Sequence, residues 1–194
     1  MQTDIQQAKA ALRKQIRGAL QIISPATRNA MSAQIRDRLK EQAIWKNAGS
    51  VLFFAPLPNE PDVWPLLEDE RAGKRIAALP RFDSANNGYV ACRLQNLRGE
   101  IVTGQFGIRE PGTSCAEIPL NRLDLVLVPG VAFDLQGRRL GRGRGFYDRL
   151  LADVDGIKCG IAFDEQVVDE IPADSQDVRL NFILTPTRCV EIAG

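Results

Sequence analysis

Short apolar runs alternate with helix-period segments over most of this chain, and that alternation limits the fold more than any other feature. Apolar runs at 51–55, 75–79, 125–128, 158–162 and 182–184 each have strand length, and residue 62 and residues 145–153 mark helical stretches between them. A strand, a helix capped by Asp62 and a second strand form a βαβ unit. The order predicts an α/β, three-layer αβα architecture in which a mainly parallel sheet is covered by helices on both faces. Residues 81–119 contain Asn86-Asn87-Gly88, Gly99, Gly104, Gly107 and Pro111-Gly112, and read as a hairpin or meander.

Ahead of the alternation lies a helical pair. Ile5, Ala8, Leu12, Ile16, Ala19, Leu20 and Ile23 recur at three- and four-residue steps, predicting a helix over 4–22 with Lys9, Arg13 and Arg17 on its other side. Ser24-Pro25 reads as an N-cap and first helical position. The second helix is expected to run to about Lys46, with Met31, Ile35, Leu39 and Ala43 on one face. With no repeat and no low-complexity linker, all 194 residues are expected to form one domain, the pair at 1–46 packing on the sheet.

Composition excludes whole mechanisms. There is no histidine, which removes Ser-His-Asp and Cys-His nucleophile systems, His-ligated zinc and imidazole acid–base chemistry. Cys92, Cys115, Cys159 and Cys189 include no close pair and read as reduced, buried small residues. The start lacks a basic segment leading into an apolar stretch, and no run approaches a bilayer span. A cytoplasmic protein without a membrane partner is expected.

The net charge is only +1, so any anion site must be local. Residues 138–149 read RRLGRGRGFYDR, five arginines and one aspartate, leaving the rest of the chain net −3. Gly141, Gly143 and Gly145 allow positive-φ conformations in which successive N–H groups point into one concavity. A helix then opens at Gly145, and Arg142 and Arg144 can fork onto phosphoryl oxygens. The Rossmann fingerprint fits poorly because the third glycine falls one position early, and a Walker loop would need Gly-Lys-Ser/Thr. A solvated arginine–glycine segment binding RNA is the bland alternative. A near-neutral remainder without an aromatic-rich surface argues against it, so no nucleic-acid partner is expected.

Ligands of open α/β sheets collect beyond the carboxyl ends of the strands. Pro56-Leu57-Pro58-Asn59-Glu60 follows the first strand, and Pro129-Gly130 and the arginine–glycine loop follow the run at 125–128. Parallel strands would bring Glu60 and the phosphate nest to one rim. Asp148 falls in the first helical turn, as a magnesium ligand or a simple cap. Phe53, Phe54 and Phe133 suit either a ligand wall or the ordinary core.

Lys9-Ala10-Ala11-Leu12-Arg13, Glu60, Gly73-Lys74, Leu79-Pro80, Phe106-Gly107-Ile108, Glu110-Pro111, VPGVAFD at 128–134 and RLGRGRGFYDR at 139–149 together make the chain resemble the 5-formyltetrahydrofolate cyclo-ligases over nearly its whole length. The resemblance implies a fold related to ribose-phosphate isomerases and CoA transferases, and the conversion of 5-formyltetrahydrofolate and ATP to 5,10-methenyltetrahydrofolate, ADP and phosphate. It implies ATP contacts from Lys9, Arg13, Arg139, Gly141, Arg142, Gly143, Arg144, Gly145, Phe146 and Tyr147, with Arg144 and Tyr147 as candidate catalytic groups. It implies a folate contact from Glu60, magnesium at Asp148 and Asp177, and small-molecule partners only, a reduced folate and ATP, acting on a monomer. The chain departs from the family pattern at Phe146, where a first tyrosine is common, and at Gln176, where many bacterial members have histidine.

The implied chemistry suits the composition. A formamide carbon is a poor electrophile until its oxygen becomes a phosphate leaving group, and phosphoryl transfer asks mainly for positioning and charge neutralisation. Arginines and backbone amides supply both without histidine. A sugar-phosphate isomerase or CoA transferase on the same fold would need a carboxylate base or nucleophile at the centre of the site.

Overall fold

The computed structural model describes residues 2–70, 75–172 and 178–193. Gly73, Lys74, Gln176 and Asp177, the last with its expected magnesium role, lie outside the described residues.

Helix α1 (Gln2–Ile22) buries Ile16 and Leu20. Helix α2 (Pro25–Glu41) starts as its sequence dictates, the Ser24 hydroxyl accepting the Thr27 N–H at 3.1 Å and Pro25 following the cap. It does not reach Lys46. Gln42 is extended (φ −73°, ψ 144°) and separates α2 from α3 (Ala43–Asn47). The apolar spacing continues across the break and buries Trp45, so neither glycine nor proline marks it.

The first strand, β1 (Ser50–Leu52), is shorter than its apolar run. The Phe53 N–H still reaches Ala78 O at 2.9 Å, but Pro56 and Pro58 lie just ahead and cannot extend a ladder. Helix α4 (Trp64–Asp69) follows, with the Trp64 N–H held by the Asp62 carboxylate at 3.0 Å. Strands β2 (Ile76–Asp83) and β3 (Gly88–Leu94) form an antiparallel hairpin. Helix α5 (Leu97–Glu100) leads into a second ribbon of β4 (Ile101–Thr103) and β5 (Arg109–Pro111), and then β6 (Glu117–Ile118). The last third contains β7 (Leu125–Val128), β8 (Ala132–Asp134), β9 (Arg139–Leu140), α6 (Phe146–Ala152), β10 (Ile157–Ile161), β11 (Val167–Val168), β12 (Phe182–Leu184) and β13 (Cys189–Glu191).

The main sheet runs β13-β12-β10-β7-β1-β2-β3-β6. Its five inner strands, β12 to β2, pair in parallel, and the antiparallel pairs lie at the two edges. Strand alternation sorts the apolar side chains into two cores. Val51, Phe53, Leu125, Leu127, Cys159 and Ile161 pack with residues of α1, α2, α3 and α4. Leu52, Val126, Val128 and Ile183 pack with Leu150 and Leu151 of α6. The chain is thus a mixed α/β fold with a large, mostly parallel sheet between helical layers, as the alternation predicts. Among the described residues no helix is long and apolar enough to cross a membrane.

Because β1 and β7 are parallel neighbours, the loops that follow them leave from the same rim. A small sheet, β11-β8-β9, carries the chain from β7 to the arginine–glycine loop. The fully buried Asp134 pins this turn, accepting the N–H groups of Gln136 and Arg138 at 3.0 Å and of Ile171 at 2.9 Å.

Candidate active site

A cavity of about 370 Å³ opens at that rim. The loop after β1 contributes Phe54, Leu57 and Glu60, and the turn after β7 contributes Pro129 and Gly130. Tyr89 comes from β3. The β4–β5 ribbon contributes Phe106, Arg109 and Glu110. Arg139, Arg142, Arg144, Phe146, Tyr147 and Asp148 close the remaining side.

Two of the three loop glycines are left-handed, Gly143 (φ 105°) and Gly145 (φ 66°), the latter capping α6. Gly141 departs from the expectation. Its φ is not positive, and it is needed for space, because a Cβ there would fall 2.9 Å from Arg139 Nη1. Arg13 reaches the loop from α1, donating from Nε to Gly141 O at 2.8 Å, while its guanidinium lies beside Gly143. Burial, and then the charge of Arg17, draws the pKa of Arg13 down. Lys9 is buried one turn earlier on α1. Lys9, Arg13 and Gly143 are not part of the cavity lining.

The arginines differ in their engagement. Arg139, 4% exposed, meets Asp148 at 2.5 Å, and its buried Nε has no acceptor among the described residues. Arg142 is half exposed and donates to Glu60 Oε1 at 2.8 Å, so in this structure it holds a carboxylate instead of an open anion site. Arg138 is paired with Glu170 at 3.0 Å. Arg144 makes no ion pair among the described residues. It lies 4.6 Å above the Phe106 ring, with its guanidinium available to a ligand.

Glu60 is fully engaged by the protein, since its second oxygen accepts the Leu57 N–H at 2.9 Å. Asp148 is more than a helix cap because its Oδ1 holds Arg139. Tyr147 lies against Tyr89 at 5.9 Å and beneath Arg139 at 5.7 Å. Burial first, and then the Glu60 charge, raises its phenol pKa and keeps it protonated. Phe54 lines the cavity, whereas Phe53 and Phe133 belong to the two cores.

Phe82, Tyr89 and Gln166 contribute to the site without any local sequence signal. Phe82, Tyr89, Phe106 and Phe146 form one aromatic cluster, with Phe82–Phe106 centroids at 5.0 Å and Phe106 and Phe146 stacked at 5.9 Å. Phe146, the departure from the tyrosine pattern, keeps the ring packed here. Gln166 is 1% exposed and donates from Nε2 to Gly130 O at 2.8 Å and Val131 O at 3.2 Å, while its Oε1 accepts the Phe163 N–H. It fixes the turn that leads into the site. Only the Phe106-Gly107-Ile108 and Glu110-Pro111 motifs marked the β4–β5 ribbon in the sequence.

Known proteins resemble this chain along its length. The model of the 5-formyltetrahydrofolate cyclo-ligase family matches residues 5–186. The 5-formyltetrahydrofolate cyclo-ligase of Escherichia coli (strain K12) is 33% identical over 91% of this chain and 99% of its own. The Mus musculus enzyme of the same name is 25% identical over 93% and 94%. Among solved structures, the 5,10-methenyltetrahydrofolate synthetase of Aquifex aeolicus superposes with a TM-score of 0.87 at 31% identity, covering 96% of this chain and 93% of that one. The chain belongs to the 5-formyltetrahydrofolate cyclo-ligase family, a family of enzymes.

Proposed function

We propose that the chain converts 5-formyltetrahydrofolate to 5,10-methenyltetrahydrofolate, using ATP to phosphorylate the formyl oxygen and releasing ADP and phosphate. One observation carries this reading: a glycine–arginine loop with left-handed turns and an aromatic, carboxylate-bearing wall line the same cavity. The first suits a triphosphate, the second a flat, donor-rich heterocycle.

The loop's N–H groups, Arg144 and the unpaired Nε of Arg139 would neutralise charge on the phosphoryl group in flight, where fixed donors lower the barrier most. Arg13 holds the loop's flank from α1, and Lys9 lies one turn earlier on the same helix, where its ammonium would add charge toward the phosphates. Phe106, Phe146, Tyr147 and Tyr89 present ring faces and edges to the folate. Glu60 accepts N–H groups of the pterin once Arg142 turns to phosphate, and the exchange links the two substrates.

Magnesium on a nucleotide keeps several waters and takes one or two carboxylates. Asp148 is the rim carboxylate that would hold it, supplying charge neutralisation across the phosphates.

The test mixes purified protein with 5-formyltetrahydrofolate, ATP and magnesium, and follows methenyl absorbance and ADP. Methenyl product and ADP in equal amounts, with ADP formation dependent on the folate, are expected. ADP release without the folate, or no methenyl product, overturns the reading.

A further inference from the structure

The β4–β5 ribbon places a buried acid against the cavity. Glu110, paired in register with Val102, is 4% exposed and lines the wall beside Phe106 and Tyr89. Its Oε2 accepts the Phe82 N–H at 3.2 Å, while Oε1 is buried without a partner among the described residues. The other lining carboxylates differ: both oxygens of Glu60 accept hydrogen bonds, and Asp148 holds Arg139. A buried carboxylate oxygen left unpaired is costly, and a ligand N–H is the kind of partner that relieves the cost.

The neighbourhood makes room for this acid without neutralising it. A Cβ on Gly104 would fall 2.3 Å from the Glu110 carboxyl. Arg81 on β2 is a cation that acts on it, but its guanidinium is directed to Glu117 at 2.6 Å and to Gly112 O and Cys115 O. Tyr89 on β3 is the phenol that senses the Glu110 charge. Burial raises the Glu110 pKa from its ordinary value, against smaller opposing effects of the Phe82 N–H and Arg81.

Ring closure needs a proton acceptor. The secondary amine attacks the phosphorylated formyl carbon, a C–N bond forms, and the nitrogen must lose its proton before its lone pair can help expel phosphate. We infer that Glu110 Oε1 is that acceptor, a catalytic base for the cyclising amine. This rests on the cyclisation reading above. The proton passes from the amine to Oε1, the C–O bond breaks with its electrons leaving on phosphate, and Glu110 returns the proton to the departing phosphate. The folate keeps the positive charge of the methenyl bridge, so atoms and charge balance with ATP as the only co-substrate.

Rapid-quench single turnovers of the full chain, with ADP and methenyl product measured separately, test the assignment. In the wild type the two form together. Glu110→Gln is expected to form ADP at close to the wild-type rate while methenyl formation slows by about 10² or more, the usual range for losing a general base. The wild-type closure rate should also fall as pH drops through the raised Glu110 pKa, and that limb should vanish in the variant. Wild-type methenyl rates in Glu110→Gln, or equal loss of both products, overturn the inference. Should Glu110→Gln fail to fold, Gly104→Ala, which displaces the carboxyl, must slow methenyl formation selectively, and an unchanged ratio of the two rates rejects the role. A wild type that makes no methenyl product defeats the function itself, a different outcome.

Discussion

Arg142 and Glu60 meet at 2.8 Å although 82 positions separate them, so a residue of the arginine–glycine loop and one from the loop after β1 close the same rim. Glu60→Gln is expected to raise the folate KM by about tenfold or more, the cost of one charge-assisted hydrogen bond, with less than a threefold change in the ATP KM. Steady-state kinetics with each substrate varied in turn checks this, and a larger shift for ATP than for folate refutes it.

Arg144 has an aromatic neighbour and, among the described residues, no carboxylate partner. Arg144→Ala should therefore lower kcat by roughly 10²-fold or more, the range seen when one preorganised donor to a developing charge is removed. Turnover near the wild-type value at saturating ATP and folate would contradict the role.

Gly143 separates conformational strain from crowding. At φ 105° a side chain is strained, yet the nearest atoms to an added Cβ belong to Arg13 at 3.8 Å. Gly143→Ala should cost about 1–2 kcal/mol through backbone strain alone. Thermal unfolding should show a loss of a few degrees, with a raised ATP KM as the loop relaxes.

The larger layout was legible in the chain: α1, the Ser24-Pro25 start of α2, and the strands β7, β10 and β12 all lie where periodicity and capping chemistry put them. The break at Gln42 was not, because Leu39 and Trp45 keep the apolar face continuous through it. In the site, the local density of glycine and arginine marked the loop that lines the cavity. The Arg142–Glu60 pair, the Arg13 contact with Gly141 and the packing of Phe82 on Phe106 join distant segments, and no window of the sequence contains both partners. Glu110 is marked by its motif but not by its role, and Gln166 looks like an ordinary polar residue, until burial shows what each must satisfy.

Gln166 spans three backbone groups that would otherwise lack partners. Gln166→Leu is expected to destabilise the fold by about 2–3 kcal/mol, the cost of leaving buried backbone groups unsatisfied. Denaturant titration should show a lowered midpoint with an unchanged slope.

Cys92 supplies a pH test. Burial, partly offset by Arg81, pushes its thiol up to about 11. At pH 8 only about 10⁻³ of it is thiolate, so maleimide should label the native protein far more slowly than the urea-unfolded chain. The unfolded thiol ionises near pH 9 while the folded one keeps its proton, so this group lowers stability progressively as pH rises from about 9 to about 11. Equal labelling of native and unfolded protein would refute the buried environment.

The bond from Arg13 to Gly141 crosses 128 positions and joins the first helix to one of the later loops to be synthesised. During translation α1 must therefore wait for most of the polypeptide to leave the ribosome before its guanidinium finds its acceptor. Anchoring of the arginine–glycine loop is in this way tied to synthesis of the loop itself, and a product cut short before Gly141 retains the first helix without that acceptor.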